Sequence, residues 1–330
     1  MEFSNWSKDW HLAQEFIWDK DFSRSSTCCS NTTENSAYDW NTDWHFSYKT
    51  KEGSLMLQQC LATSAPEDIE NIFVQVRPIL PDLILDPFAN YAVQKLVNAC
   101  TVGQRVAMIT DMKDDLLEFA CHPRGTHVVQ NLANLCSSPE EESLYISAFK
   151  GKVKEMTIHP YASHVVQKLM VNFQQKHHFI KEIRGSASAL ASHKHGVCVI
   201  NAMLRDPVIL SELMGDFLKL IQDPYGNYTM QLLIDIWKEE IAFEVICAIK
   251  GRVCQLSKQK FSSNVIETCI REEAIREPVI RELVDNVDTV VNSQFGGYVV
   301  KTAMMFATDS QNQVLMRYTV KSGIKKWSTM

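Results

Sequence analysis

A seven-letter phrase returns down this chain in eight versions. It reads SLMLQQC from Ser54, NYAVQKL from Asn90, THVVQNL from Thr126, SHVVQKL from Ser163, VCVINAM from Val197, NYTMQLL from Asn227, SNVIETC from Ser263 and GYVVKTA from Gly297. Successive starts lie 36, 36, 37, 34, 30, 36 and 34 residues apart. A period of this size means stacked supersecondary units, none of which can bury its apolar face alone. The expected fold is an all-α solenoid of repeats. The residues before and after each phrase agree with this. First helices show apolar spacing, as in Ile72-Phe73-Val76-Ile79-Leu80 and Phe217-Leu218-Ile221, and breaks follow at Asp86-Pro87, His122-Pro123, His159-Pro160 and Asp223-Pro224. Proline fixes φ there and pushes the residue before it out of the α region. Twelve residues before seven of the phrases stand Pro78, Asp114, Gly151, Gly185, Gly215, Gly251 and Asp285, all turn-prone types that predict a bend at one place in each unit.

The phrase divides by helical angle. Positions 1, 2 and 5 fall at 0°, about 100° and about 40°, while positions 3 and 4 fall at about 200° and 300°. Positions 3 and 4 are mostly apolar and are expected to pack into the array. Positions 1 and 5 are expected to form rows of hydrogen-bonding groups facing outward. They comprise Ser54 with Gln58, Asn90 with Gln94, Thr126 with Gln130, Ser163 with Gln167, Asn227 with Gln231 and Ser263 with Glu267. Position 2 adds a row of flat or slender side chains: Leu55, Tyr91, His127, His164, Cys198, Tyr228, Asn264 and Tyr298. A ladder of planar groups beside hydrogen-bonding pairs suits unstacked bases, each held by its faces and read on its edge. A merely solvated helix face is the simpler explanation of polar letters. Against it, the letters covary by type, Asn-Tyr with Gln and Ser-Asn with Glu.

The segments DPFANYAVQKL, HPYASHVVQKL, DPYGNYTMQLL and KFSSNVIETCI, with the tail QNQVLMRYTVKSGIKKW, resemble the Pumilio/FBF (PUF) repeat family. The resemblance covers about residues 50–330. It implies a right-handed α-solenoid, a crescent of eight three-helix repeats with a C-terminal cap, whose concave face binds single-stranded RNA antiparallel to the protein. It also implies one base per repeat, read by two or three side chains. Ser263 with Glu267 suits guanine, because a carboxylate accepts from the ring N–H and the exocyclic amine together. Asn90–Gln94 and Asn227–Gln231 suit uracil, whose edge mixes one donor with carbonyl acceptors. Ser54–Gln58, Ser163–Gln167 and Thr126–Gln130 suit adenine in the family's pattern. An amide pair alone serves more than one base, so these last assignments rest on the resemblance. Tyr91, His127, His164, Tyr228, Asn264 and Tyr298 would stack.

Two units depart from the pattern. One offers Val197, Cys198 and Asn201, where valine cannot hydrogen-bond and Asn is a methylene shorter than Gln. The other offers Gly297, Tyr298 and Lys301, and a lysine has donors only. The implied target is 5′-N-G-U-N-(A/N)-(A/N)-U-A-3′. The expected function is sequence-selective binding of mRNA 3′ untranslated elements with a UGU-like core, for post-transcriptional repression or decay in the cytoplasm. The partner expected besides RNA is a protein effector on the convex face, with the chain itself a monomer. Two other readings remain: a nuclear or nucleolar rRNA-processing relative, and a helical protein–protein scaffold with weakened RNA binding.

Composition narrows the alternatives. The net charge is −6 and the pI about 5.9, so nucleic acid must be gripped by a local surface rather than a global field. The ten cysteines form no CxxC pair and are expected to be buried free thiols. Lys8, Asp9, Glu15, Asp19 and Lys20 interrupt any signal-peptide pattern, and no run of about 18 apolar residues predicts a membrane span. No GxGxxG, P-loop, GxSxG or HExxH motif occurs, so no enzyme and no cofactor are expected. His177-His178 and His193-Lys194-His195 lack further ligands at standard spacing, so no metal is expected. The carboxylate runs Glu140-Glu141-Glu142, Glu239-Glu240 and Glu272-Glu273 are expected to be solvated helix starts or loops. The expected division is an extension over residues 1–45, partly disordered, and a repeat domain over 46–330. The extension carries Trp6, Trp10, Trp18, Trp40 and Trp44, a short helix around Trp10–Trp18 and an unstructured stretch Ser23–Asn35.

Overall fold

The computed structural model describes residues 48–321, which belong to the compact unit His45–Met330. The expectations for residues 1–45 lie outside the described residues. Among the described residues there is no strand, and every phrase begins on an α-helix, the fifth running past its end at Asn201. The eight phrase helices are α1 (Lys51–Thr63), α2 (Ala89–Ala99), α3 (Gly125–Leu135), α4 (Ala162–Asn172), α5 (Gly196–Asn201), α6 (Gly226–Trp237), α7 (Ser262–Arg271) and α8 (Gly296–Phe306). Each packs on the next, and two further helical segments per unit lie behind most of them. In the fourth unit these are Pro139–Phe149 and Val153–Ile158. The helix Asp309–Lys321 packs on α8 and closes the array. The result is a helical-repeat solenoid.

The phrase supplies the core between repeats. Ala92-Val93, Val128-Val129, Val165-Val166, Val199-Ile200, Thr229-Met230, Val265-Ile266 and Val299-Val300 are all at most 2% exposed. Position 7 joins them through Leu96, Leu132, Leu169, Met203, Leu233, Cys269 and Ala303. In α1 the equivalent Met56 and Cys60 are only half-buried.

The side chain four residues before position 1 caps the phrase helix in every unit but the seventh, where Gln259 Oε1 accepts only from the Ser262 hydroxyl. Asp86 Oδ1 accepts from the Phe88 and Ala89 N–H at 2.8 and 2.9 Å, and Asp223 Oδ1 from those of Tyr225 and Gly226 at 2.8 and 2.7 Å. His122, His159 and His193 accept the equivalent pairs through Nδ1, which an imidazole can do only while that nitrogen carries no proton. Ser293 Oγ does the same for Gly296 at 3.0 Å. These side chains satisfy amide groups that a helix start leaves open. His193 is thus a structural cap rather than an idle loop residue.

The bend positions all fall where the first helix of a unit gives way to the second. They do so in different ways. Gly151, Gly185 and Gly251 have φ of +75°, +76° and +76°, a region that disfavours a side chain. Each is clamped by a glutamate from the next repeat. Glu182 accepts from the Gly151 and Val153 N–H at 2.8 and 3.2 Å. Glu212 accepts from those of Gly185 and Ala187 at 2.7 and 3.1 Å, and Glu282 from those of Gly251 and Val253 at 2.7 and 2.8 Å. Pro78 lies instead in a 3₁₀ turn, and Gly215 and Asp285 end helices.

Two expectations are corrected. Glu141 and Glu142 stand at a helix start but are buried, at 0% and 7% exposed. Glu141 completes a capping box with Ser138 and receives Arg105 Nε at 2.8 Å, while Arg105 also donates to the Cys100 carbonyl and to Ser137 Oγ. Glu142 accepts from the Gln174 and Gln175 N–H of the next unit. A carboxylate run can leave water when each charge finds donors across a repeat boundary. The eight described cysteines are free thiols. The expected burial holds for Cys100 and Cys269 alone, since Cys247 is exposed and the other five are half-buried; loss of water still pushes Cys100, Cys136 and Cys269 up to about 12. No helix among the described residues is long and apolar enough to cross a membrane.

The Arg105–Glu141 pair yields a stability test. Burial alone would raise the Glu141 carboxyl, but hydrogen bonds from Arg105, the Ser137 N–H and the Ser138 hydroxyl outweigh it and hold the pKa below its ordinary value. Its stabilisation is therefore present above the ordinary carboxylate range and lost as pH falls through the depressed folded value. Glu141→Gln strands a buried guanidinium and should cost about 3 kcal/mol at pH 7. Urea denaturation at pH 7 and in acid should show the gap between wild type and variant closing as the pH falls.

Candidate nucleic-acid interface

The outward rows differ from the helical-wheel expectation at position 1. Ser54, Asn90, Thr126, Ser163, Val197, Asn227 and Ser263 are all at most 3% exposed, and only Gly297 is half-open. The wheel places position 1 beside positions 2 and 5, but it cannot show the next repeat, whose helix start closes over it. Ser54 Oγ donates to the Phe88 carbonyl at 2.7 Å and Thr126 Oγ1 to the Tyr161 carbonyl at 3.3 Å, each across a repeat boundary. The asparagines turn to their own helix starts. Asn90 Nδ2 donates to the Asp86 carbonyl at 2.7 Å and Asn227 Nδ2 to the Asp223 carbonyl at 2.8 Å.

Position 5 folds back on position 1. Gln58 Nε2 donates to Ser54 Oγ at 3.1 Å, Gln94 Nε2 to Asn90 Oδ1 at 3.2 Å, Gln130 Nε2 to Thr126 Oγ1 at 2.9 Å and Gln231 Nε2 to Asn227 Oδ1 at 3.1 Å. The pair is therefore one unit: position 1 anchors the amide, and the far side of that amide meets whatever lies on the face. Gln58, Gln94, Gln167 and Gln231 are half-buried, and Gln130 is buried. With one N–H of Nε2 given inward, such an amide still offers Oε1 as an acceptor and its second N–H as a donor to an outside edge. The seventh unit is wired differently. Ser263 Oγ donates to the Lys260 carbonyl at 3.4 Å. Glu267 Oε2 accepts instead from Arg271 Nη2 at 3.1 Å and from Thr302 Oγ1 at 2.8 Å.

Position 2 is the open row. Tyr91, Tyr228 and Tyr298 are 42%, 38% and 62% exposed, and Leu55 and Asn264 are also exposed. His127, His164 and Cys198 are half-buried. Burial, and then the positive potential of His195, His127 and Lys168, hold His164 below the ordinary histidine value, so its ring is neutral and flat at pH 7. Phe88 and Tyr161, each two residues before position 1, are exposed as well, at 40% and 39%. Lys95 and Lys168, at position 6 of their phrases, are exposed and half-buried. They bring local positive charge beside the aromatic row of an acidic chain.

The two irregular units are now distinct. In the fifth, Val197 is buried and α5 is six residues long, ending at Asn201. Asn201 Oδ1 accepts from Thr229 Oγ1 of the next phrase at 2.8 Å, and its Nδ2 is buried without a partner. Its position-5 amide is thus drawn into the array. In the eighth, Tyr298 and Lys301 are both exposed beside a position 1 with no side chain. Sequence reasoning missed Thr302, Arg271 and Thr229. Arg271 was legible as an i+4 partner of Glu267 on one helix. The two threonines become partners only when adjacent repeats are superposed in register. Among the described residues, no group of three His, Cys, Asp or Glu could hold a metal ion.

This chain is similar to known proteins in sequence and in fold. The family model described as a Pumilio-family RNA binding repeat matches residues 51–77, 80–111, 115–145, 152–184, 216–249 and 252–284. It passes over the fifth and eighth units, the two that lack the reading letters. Pumilio homolog 12 of Arabidopsis thaliana is 31% identical over 272 residues, covering 78% of this chain and 46% of the relative. Suppressor protein MPT5 of Saccharomyces cerevisiae is 28% identical over 274 residues, covering 76% of this chain and 32% of the relative. The chain spans about half the length of the curated relatives it matches. Among solved structures, the Puf4 RNA binding domain bound to the HO endonuclease RNA 3′ UTR recognition sequence superposes with a TM-score of 0.81 at 24% identity. That match covers 87% of this chain and 95% of the other, and carries the fold. The family consists of RNA-binding repeat proteins, not enzymes. With the matched repeats amounting to more than half of its residues, this chain belongs to the Pumilio (PUF) family.

Proposed function

We propose that this chain binds single-stranded RNA with sequence selectivity, one base to each intact repeat, and acts on mRNA 3′ untranslated elements with a UGU-like core. The observation that carries the reading is the pairing of positions 1 and 5. Four amides are each anchored by a side-chain oxygen of the residue that varies with them, a hydroxyl in two and an amide oxygen in two, and a row of exposed or half-buried side chains, most of them aromatic or planar, runs alongside. A solvated face has no need to hold its glutamines in one orientation. The relatives support the same reading, since the superposed Puf4 and yeast Puf5p domains are bound to RNA. Acting in the cytoplasm, the bound protein would bring repression or decay machinery to the message through its outer helices.

In this reading Glu267 selects guanine, Asn227–Gln231 and Asn90–Gln94 select uracil, and the remaining glutamine pairs select adenine. Tyr91, His127, His164, Tyr228, Asn264 and Tyr298 separate the bases. Each stacked base contributes on the order of 1–3 kcal/mol. The fifth repeat contributes no selection, because its position 1 is a buried valine and its amide is tied to Thr229.

Two measurements test this. The double change Ser263→Asn and Glu267→Gln should move the preference at that RNA position from G to U in titrations with short RNAs. If affinity for both RNAs is unchanged, the assignment of bases to pockets fails. Selection of bound sequences from a random RNA pool should return a motif with a fixed G and U at its 5′ side and no base preference opposite the fifth repeat. Absence of saturable binding at micromolar protein in modest salt would instead favour the scaffold.

A further inference from the structure

We infer that Thr302 and Arg271 are positioning residues for guanine selection by the seventh repeat, so that the eighth repeat, poor as a reader, completes its neighbour's pocket. The inference rests on Glu267 being the base-contacting residue of that repeat. In four other repeats the oxygen at position 1 anchors the position-5 amide. A carboxylate has no N–H to give, and the Ser263 hydroxyl is turned to the Lys260 carbonyl. The anchoring passes to two donors on Glu267 Oε2: Arg271 Nη2 at 3.1 Å and Thr302 Oγ1 at 2.8 Å.

The two donors pull in different directions. Arg271 lies one turn further along α7 and is half exposed. Thr302 lies on α8 and is 6% exposed, so its hydroxyl is fixed by packing. Arginine alone would draw the carboxylate along its own helix. The threonine holds it across the repeat boundary, and together they set the plane of a group whose last torsion is otherwise loose. The side chain of Glu267 is only 15% exposed, and its two carboxylate oxygens offer acceptors alone. Oε1 and the outer side of Oε2 then face the two adjacent donors of guanine. The neighbouring Gly297 and Lys301 have lost the reading letters, while Thr302, one residue on, serves the repeat before.

Thr302→Val removes the hydroxyl with little change of shape, and Thr302→Ser restores it. Binding should be titrated with two short RNAs that differ only in G or A opposite the seventh repeat, with a thermal melt of each variant. Thr302→Val should lower the G-over-A ratio roughly tenfold, the scale of one hydrogen bond to a charged group, while Thr302→Ser keeps it. Arg271→Met should also lower the ratio, whatever it does to affinity in common. If Thr302→Val leaves the ratio unchanged, or weakens both RNAs equally as its melting temperature falls, Thr302 is a packing residue and the inference is wrong. Failure of the Ser263→Asn/Glu267→Gln exchange is a separate result, and would remove the pocket assignment itself.

Discussion

The apolar pair at positions 3 and 4 of each phrase is buried where the phrase helix packs on the helix before it in its own unit and on the phrase helices of neighbouring units. Each repeat therefore depends on its neighbours to complete its core, and register is set between adjacent units. Val128-Val129, Val165-Val166 and Val199-Ile200 reach zero exposure because α3, α4 and α5 lie side by side. Once that seam is set, equivalent residues in successive repeats must come next to each other. The row of rings at position 2 and the row of amides at position 5 follow from it.

The same juxtaposition takes polar groups out of water and gives them partners across the boundary. Glu182, Glu212 and Glu282 close the glycine bends of the preceding unit, and Glu141 and Glu142 satisfy groups on both sides of theirs. Ser54 and Thr126 donate into the next helix start. Such contacts tie the spacing of the face to the packing behind it. A repeat that loses its reading letters therefore keeps a structural duty, as Val197 and the short α5 show.

Much of this was legible before the structure. The phrase period gave the repeat count and the fold class, and the apolar letters gave the seam. The Asp-Pro and His-Pro pairs mark where four of the eight phrase helices begin, although they do not by themselves show the capping by Asp86, His122, His159 and Asp223. Position 1 was read as outward because a helical wheel treats a helix as isolated. In the run Glu140–Glu142 charge alone predicts water, which holds for Glu140, while Arg105, Ser137 and Ser138 hold Glu141 and the amides of Gln174 and Gln175 hold Glu142 out of it.

The sequence by itself determined that the chain stacks, with what period, and which units keep the reading letters, because local periodicity and residue type decide those things. Only the tertiary structure decided how the letters are wired. Position 1 anchors position 5, Asn201 is withdrawn by Thr229, and Glu267 is held by Thr302 and Arg271. Thr229 and Thr302 lie 28 and 35 residues from the groups they hold, and only the packing of neighbouring repeats brings such residues within hydrogen-bond reach.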